Sequence, residues 1–264
     1  MEVHHHPHHE GKKNWKSYLW EFLMLFLAVF CGFLAEYQLE HKFEKERGRK
    51  YMSDMVENLK YDTLKQSKIL SLNIIKCNQL DSFRNKISLA IKGDIDGNSL
   101  YDLWLKTQDF MEATSNKASI TQLKNAGVFR LIDNNALAES ISDYYERVVA
   151  ATEEQSAATN IESRRLEVSS LRFFYYEPFD DMLKVEYKYG TAIADSVNVR
   201  INKPLKSDPP LALLNTNPAD LKLLYNDVAT MEKYLKVYNS YMRWARESAE
   251  ALMIQIENEY HFKK

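Results

Sequence analysis

Five of the first nine residues are histidines, His4, His5, His6, His8 and His9, broken by Pro7. Imidazoles at this density can ligate zinc, nickel or copper. A structural metal site, however, closes four ligands in fixed geometry, and a short tail offers no element to hold them. The expectation is a flexible tail with incidental metal affinity and a pH-dependent charge. The other histidines, His41 and His261, stand near opposite ends of the remaining chain; Cys31 lies inside an apolar segment and Cys77 well beyond it, so a disulfide between them is not expected. A phosphate loop needs a glycine-rich turn, an acyl-transfer site a Gly-x-Ser-x-Gly elbow, and a zinc hydrolase a His-Glu-x-x-His pair. None of these occurs, and carboxylates spread along helices read as solvated faces. No catalysis, cofactor or small-molecule substrate is therefore expected.

One further stretch evokes ion chemistry. Gly93-Asp94-Ile95-Asp96-Gly97-Asn98-Ser99 resembles the start of a calcium loop, but Gly97 is misplaced and Leu105 stands where a bidentate glutamate is required. It reads instead as a break between helices, with Asn98 or Ser99 as the N-cap of the next one.

The elements that carry these residues follow from composition and period. Seven glycines and six prolines in 264 residues leave few places to turn, which favours long helices. The formal charge of −2 comes with no basic stripe, so nucleic acid is not an expected partner. From Phe22 to Ala35 fourteen residues carry no charge, and the aromatic flanks Trp15, Tyr18, Trp20 and Tyr37 extend the stretch. Tyr18 to Tyr37 makes roughly 30 Å of helix, with Glu21 and Glu36 near the two interfaces. A retained transmembrane helix over 18–37 is the leading reading. A cleaved signal peptide fits Lys12, Lys13 and Lys16 but lacks a small-x-small cut site, and a buried core helix would show a polar face. The lysines favour a signal-anchor with the tail in the cytoplasm and the domain outside. The basic residues from Lys42 to Lys50 argue the other way by simple count.

Residues 38–264 read as a helical soluble domain. Glu36–Lys92 contains no proline and forms one or two very long helices continuing out of the membrane. Shorter helices are expected at Leu100–Glu112 and Ser119–Ala126, with Gly127 at the C′ position. Asp133-Asn134-Asn135 caps a segment over Ala136–Tyr176 closed by Pro178. A long loop at about 190–217 holds three of the six prolines, Pro204, Pro209 and Pro210, and a short alternating run, Val197 to Ile201, that could be a strand. Asn217-Pro218 then opens a helix to about residue 260. Its apolar residues Leu221, Leu224, Val228, Met231, Leu235, Tyr238, Met242, Ala245, Ala249, Leu252 and Ile256 recur at alternating spacings of three and four. That seven-residue repeat specifies a supercoiled seam, paired either with the Glu36–Lys92 helix or with another copy.

The run Trp20 to Val29, with Gly32-Phe33 and Ala35-Glu36, resembles the anchor of uncharacterised single-span membrane proteins common in Bacteroidota, whose N-termini often begin His-His-His-Pro. Ser119 to Gly127, Leu131-Ile132 and Ile141 to Tyr145 are similar to their central motif. The resemblance implies an inner-membrane protein with a native histidine tail, and no activity. Together these readings give an all-α chain: one transmembrane helix followed by an elongated antiparallel bundle with coiled-coil-like packing. The expected role is a membrane-anchored structural or interaction protein, an accessory subunit or a self-associating scaffold, with the bilayer and a helical protein as partners and the domain in the periplasm. The alternative is a sensory or ligand-binding ectodomain relaying through a partner.

Overall fold

The computed structural model describes residues 14–107, 110–113, 115–125, 127, 129, 132, 134–177 and 207–262. Among them the chain is helical and contains no strand. The histidine tail, the Val197–Ile201 run, most of the proline-rich stretch and Pro178 lie outside the described residues.

Helix α1 runs without interruption over Trp15–Ile91, 77 residues, or about 115 Å at 1.5 Å per residue. No proline interrupts it, and beyond Tyr37 glutamates and lysines alternate at helical spacing, which supports a largely exposed helix. Its apolar N-terminal third is exposed all round, as at Phe22, Leu25 and Phe33. It is one helix long and apolar enough to cross a membrane, and none of its most apolar window is buried. Residues 38–47 continue as a stalk, largely exposed, with Leu39 and Phe43 uncovered.

The end of α1 is set by Gly93 at φ +95. Its N–H donates to the Ala90 carbonyl and that of Asp94 to the Leu89 carbonyl, a pairing that closes orphan carbonyls and needs a left-handed residue. Helix α2 spans Gly97–Lys106. Its cap is Asp96, not Asn98 or Ser99: the carboxylate accepts from the Ser99 N–H at 3.1 Å. Asn98 is engaged elsewhere, donating to the Ser207 carbonyl and accepting from the Leu211 N–H. That clamp lays the 207–217 segment on the first turn of α2, so close that a Cβ on Gly97 would sit 1.7 Å from the Leu211 carbonyl oxygen. Helix α2 stops at Lys106 and does not reach Glu112.

Helix α3 covers Ala118–Asn125, with Gly127 at φ +65 beyond it. Helix α4, Asn135–Asp143, is capped by Asn134. It passes into a π-helical turn over Tyr144–Val149 and then into α5, Ala150–Ser170. The expected 136–176 helix is thus one path with a widened turn inside it. It stops at Ser170, whose carbonyl takes the N–H of both Phe173 and Phe174. Helix α6 spans Pro218–Tyr260 behind the Asn217 cap, which accepts from the Ala219 N–H at 2.8 Å.

Burial follows the seven-residue repeat of α6. All eleven repeat positions are at most 2% exposed. Leu221 to Met242 join an apolar cluster with Ile69 to Ala90 of α1, with Leu100, Tyr101 and Trp104 of α2, and with Phe173 and Phe174. Ala245 to Ile256 join a second cluster with Met52 to Leu59, α3, α4 and the π-helical turn. Across α1 and α6 the contacts pair Lys60 with Glu257, Asn73 with Asn239, and Arg84 with Glu232, and Arg49 meets Phe262 just past the end of α6. Against α6, α5 presents Thr152, Ser156, Thr159, Ser163, Leu166 and Ser170, all buried. Small side chains at alternating steps of four and three let two backbones come close. The Thr152 and Thr159 hydroxyls lie 3.5 Å from the Tyr241 and Tyr234 carbonyls.

Candidate functional site: a polar layer and an adjoining cleft

On α1 the apolar spacing lapses between Leu59 and Ile69. Asp62, Thr63 and Gln66 occupy the buried positions instead, where the two apolar clusters meet. The connector between α2 and α3 reaches this layer. The Asn116 N–H donates to Asp62 Oδ2 at 2.7 Å, and its side chain donates to Asn58 Oδ1 at 3.0 Å. Asn58 in turn donates to the Ser119 hydroxyl at 2.5 Å. Burial pushes the Asp62 carboxyl above the usual carboxylate range, partly countered by the Asn116 N–H and by Lys65.

The π-helical turn brings Tyr144 and Tyr145 to the same region. Their rings meet edge-on with centroids 4.9 Å apart. Their hydroxyls and the Gln66 side-chain oxygen are buried without a hydrogen-bond partner among the described residues. Burial raises both phenols, with the Asp62 charge adding to it, so both keep their protons through the physiological range. π-turns of this kind recur where a helix must re-aim side chains. Here the widened turn points two consecutive tyrosines into the interior. The layer can donate and accept hydrogen bonds in a dry setting, where each unmade bond costs on the order of 1–3 kcal/mol.

The same connector forms a wall of a cleft of about 330 Å³ against α5. Glu112 and Ala113 face Glu153, Ser156, Asn160 and Arg164 across it. Its floor is fixed by Tyr238 of α6, whose hydroxyl oxygen accepts from the Ala113 N–H at 2.8 Å and faces the Ser156 hydroxyl. At the rim Asn160 donates to Glu112, and Arg164 Nε donates to Asn160 Oδ1 at 3.3 Å. Lys117 pairs with Glu153 at 2.5 Å.

Of the residues singled out from sequence, His4, His5, His6, His8 and His9 lie outside the described residues. The seam positions Leu221 to Ile256 come together inside this chain, against α1, α2, α3 and the π-helical turn. Both cysteines are free thiols; Cys31 is exposed and Cys77 is buried beside Asn239. Among the described residues no three histidine, cysteine or carboxylate side chains are placed to share a metal ion. Asp62, Gln66, Tyr144 and Tyr145 were not legible beforehand as a group. The one local signal is the run of polar residues at the buried spacing of α1. Comparison with protein-family models, with curated proteins and with solved structures gives no match.

Proposed function

We propose that this chain is a membrane-anchored structural or interaction protein, an accessory subunit or scaffold of a larger membrane assembly. The observation that carries this reading is the unbroken course of α1, from an apolar stretch exposed on every side, through a largely exposed stalk, into the packed helices. A continuous helix fixes both the height and the rotation of a domain relative to its anchor, which a flexible tether cannot do. The soluble helices form an antiparallel bundle with coiled-coil-like packing. Supporting this are the descending α6 partners of ascending α1 residues, from Lys60–Glu257 to Arg84–Glu232, and the burial of every repeat position of α6. Since the seam is filled within the chain, a partner meets other faces. Exposed apolar residues such as Tyr61, Leu64 and Ile75 of α1 are available to it. The resemblance of the anchor and of Ser119–Gly127 to the Bacteroidota proteins supports a bacterial inner membrane, and Lys12, Lys13 and Lys16 support a periplasmic domain.

Extraction in mild detergent followed by native mass measurement tests this. A stoichiometric complex with other subunits, or a defined oligomer, is the expected result. A lone monomer would overturn it. Labelling of single cysteines introduced at exposed positions of α5 in intact cells tests the orientation.

The cleft between α5 and the α2–α3 connector favours a second reading, a ligand-binding ectodomain. Concave sites with a few convergent polar groups between helices are where small ligands bind. Its volume lies at the lower end for such sites.

A further inference from the structure

The charges around the cleft are not all matched. Glu153 is paired with Lys117. Glu112 meets only the neutral amide of Asn160, and Arg164 donates only to the carbonyl oxygen of that same amide. Among the described residues neither has an ion-pair partner. Asn160 and Arg164 are one helical turn apart on α5, so Glu112 and Arg164 flank the opening with opposite charges spaced by a neutral group. Apolar lining comes from Ala113, Ala157 and Ile161. The floor is fixed at one point, because the Ala113 N–H is held by the buried Tyr238 hydroxyl at 2.8 Å.

From this arrangement we infer that the cleft takes a small zwitterion, an α-amino acid or a dipeptide. Its ammonium is received by Glu112 and its carboxylate by Arg164, with the side chain over Ala157 and Ile161. A guanidinium receives a carboxylate through two parallel N–H donors, and charge-assisted bonds of this kind are about twice as strong as neutral ones. A single amino acid or dipeptide also matches the volume of about 330 Å³. A larger ligand would have to leave the cleft, and an ion of one sign would leave one rim charge unanswered. This assignment rests on the ligand-binding reading above and names its ligand class.

The test uses the full chain in lipid nanodiscs and isothermal titration with four probes: L-alanine, L-alanyl-L-alanine, propylamine and propionate. The expected result is saturable binding of a zwitterion with a Kd of about 1 mM or tighter, and weaker binding of both singly charged probes. Arg164→Met and Glu112→Gln should each weaken zwitterion binding about tenfold, as expected for losing a charge-assisted bond. The thermal melt of each variant reports that it is folded. Binding of propylamine as tight as that of the zwitterions, untouched by Arg164→Met, would overturn the zwitterion and leave the ligand-binding reading standing. Absence of heat with all four probes up to about 10 mM, well above any useful site, would overturn both.

Discussion

Two aspartates in this chain sit in opposite electrostatic settings, and their effects on stability run in opposite directions with pH. The Lys86 ammonium, 2.8 Å away, and the Ser99 hydroxyl and N–H hold the Asp96 carboxyl down to about 2. A carboxyl lowered on folding stabilises the protein above its unfolded pKa and loses that effect as pH falls through the folded value. Asp96→Ala should therefore cost about 1 kcal/mol at neutral pH, the usual size of a lost N-cap, with the gap closing between about pH 4 and pH 2. Asp62 is raised by burial, so its ionised form opposes folding above the folded pKa, and that penalty fades as pH falls through the folded pKa and is gone below the unfolded value. Asp62→Asn keeps an acceptor for the Asn116 N–H without the charge. It should melt at a higher temperature than wild type at pH 7 and at the same temperature below about pH 3. Thermal melts across pH 2–8 read both effects. A third residue-scale case is the buried pair Asn73–Asn239, joined at 2.9 Å inside the α1–α6 seam. Asn239→Ala strands the Asn73 amide in a dry interface and should cost about 1–3 kcal/mol in urea melts. Asn73→Leu with Asn239→Leu should recover most of that loss, as removing both partners generally does. The pair then serves register rather than strength, as a single polar residue does in a coiled coil.

At the scale of elements, the start of α2 shows what decides a boundary. Asn98 and Ser99 are as good N-cap residues as Asp96 in isolation, but the choice is made by a segment more than a hundred residues away. The 207–217 strip takes both hydrogen-bonding ends of Asn98 and presses the Leu211 carbonyl against Gly97. Gly97→Ala should cost about 1–3 kcal/mol, the range for forced overpacking, and should raise amide hydrogen exchange over 207–217 more than elsewhere. Uniform exchange would show that the close approach does not hold that strip. The same logic separates what was legible in the sequence from what was not. Helix α6 was legible to the residue, because Asn217-Pro218 is a local start signal and its repeat is apolar throughout. That α1 is very long was legible from the lack of proline, but one helix and two remained equally open over Glu36–Lys92. The α5 seam was not, because it is built of serine and threonine, which carry no hydrophobic period. Nor was the polar layer, because it joins Asp62 to tyrosines aimed by a π-helical turn that no short-range rule demands.

For the whole molecule, the question is how rigidly the packed helices are held relative to the apolar N-terminal third of α1, and residues 38–47 join the two. Residues 38–47 are largely exposed, so their main structural role is to remain helical. A proline inside a helix removes one backbone hydrogen bond and clashes with the preceding turn, at about 3 kcal/mol or more. In a packed helix that penalty falls on domain stability; in a largely exposed stalk it falls mainly on continuity. Phe43→Pro should therefore leave the thermal melt of the soluble helices unchanged. It should broaden the distances, measured by electron spin resonance in nanodiscs, between a label at Trp15 and one at Ser240 on the exposed side of α6. An unchanged, narrow distribution would mean that lipid or a partner, and not α1, holds the domain in place. A loss of domain stability would mean that the stalk has contacts of its own. Rigid coupling through α1 predicts the one combination in which stability is kept and orientation is lost.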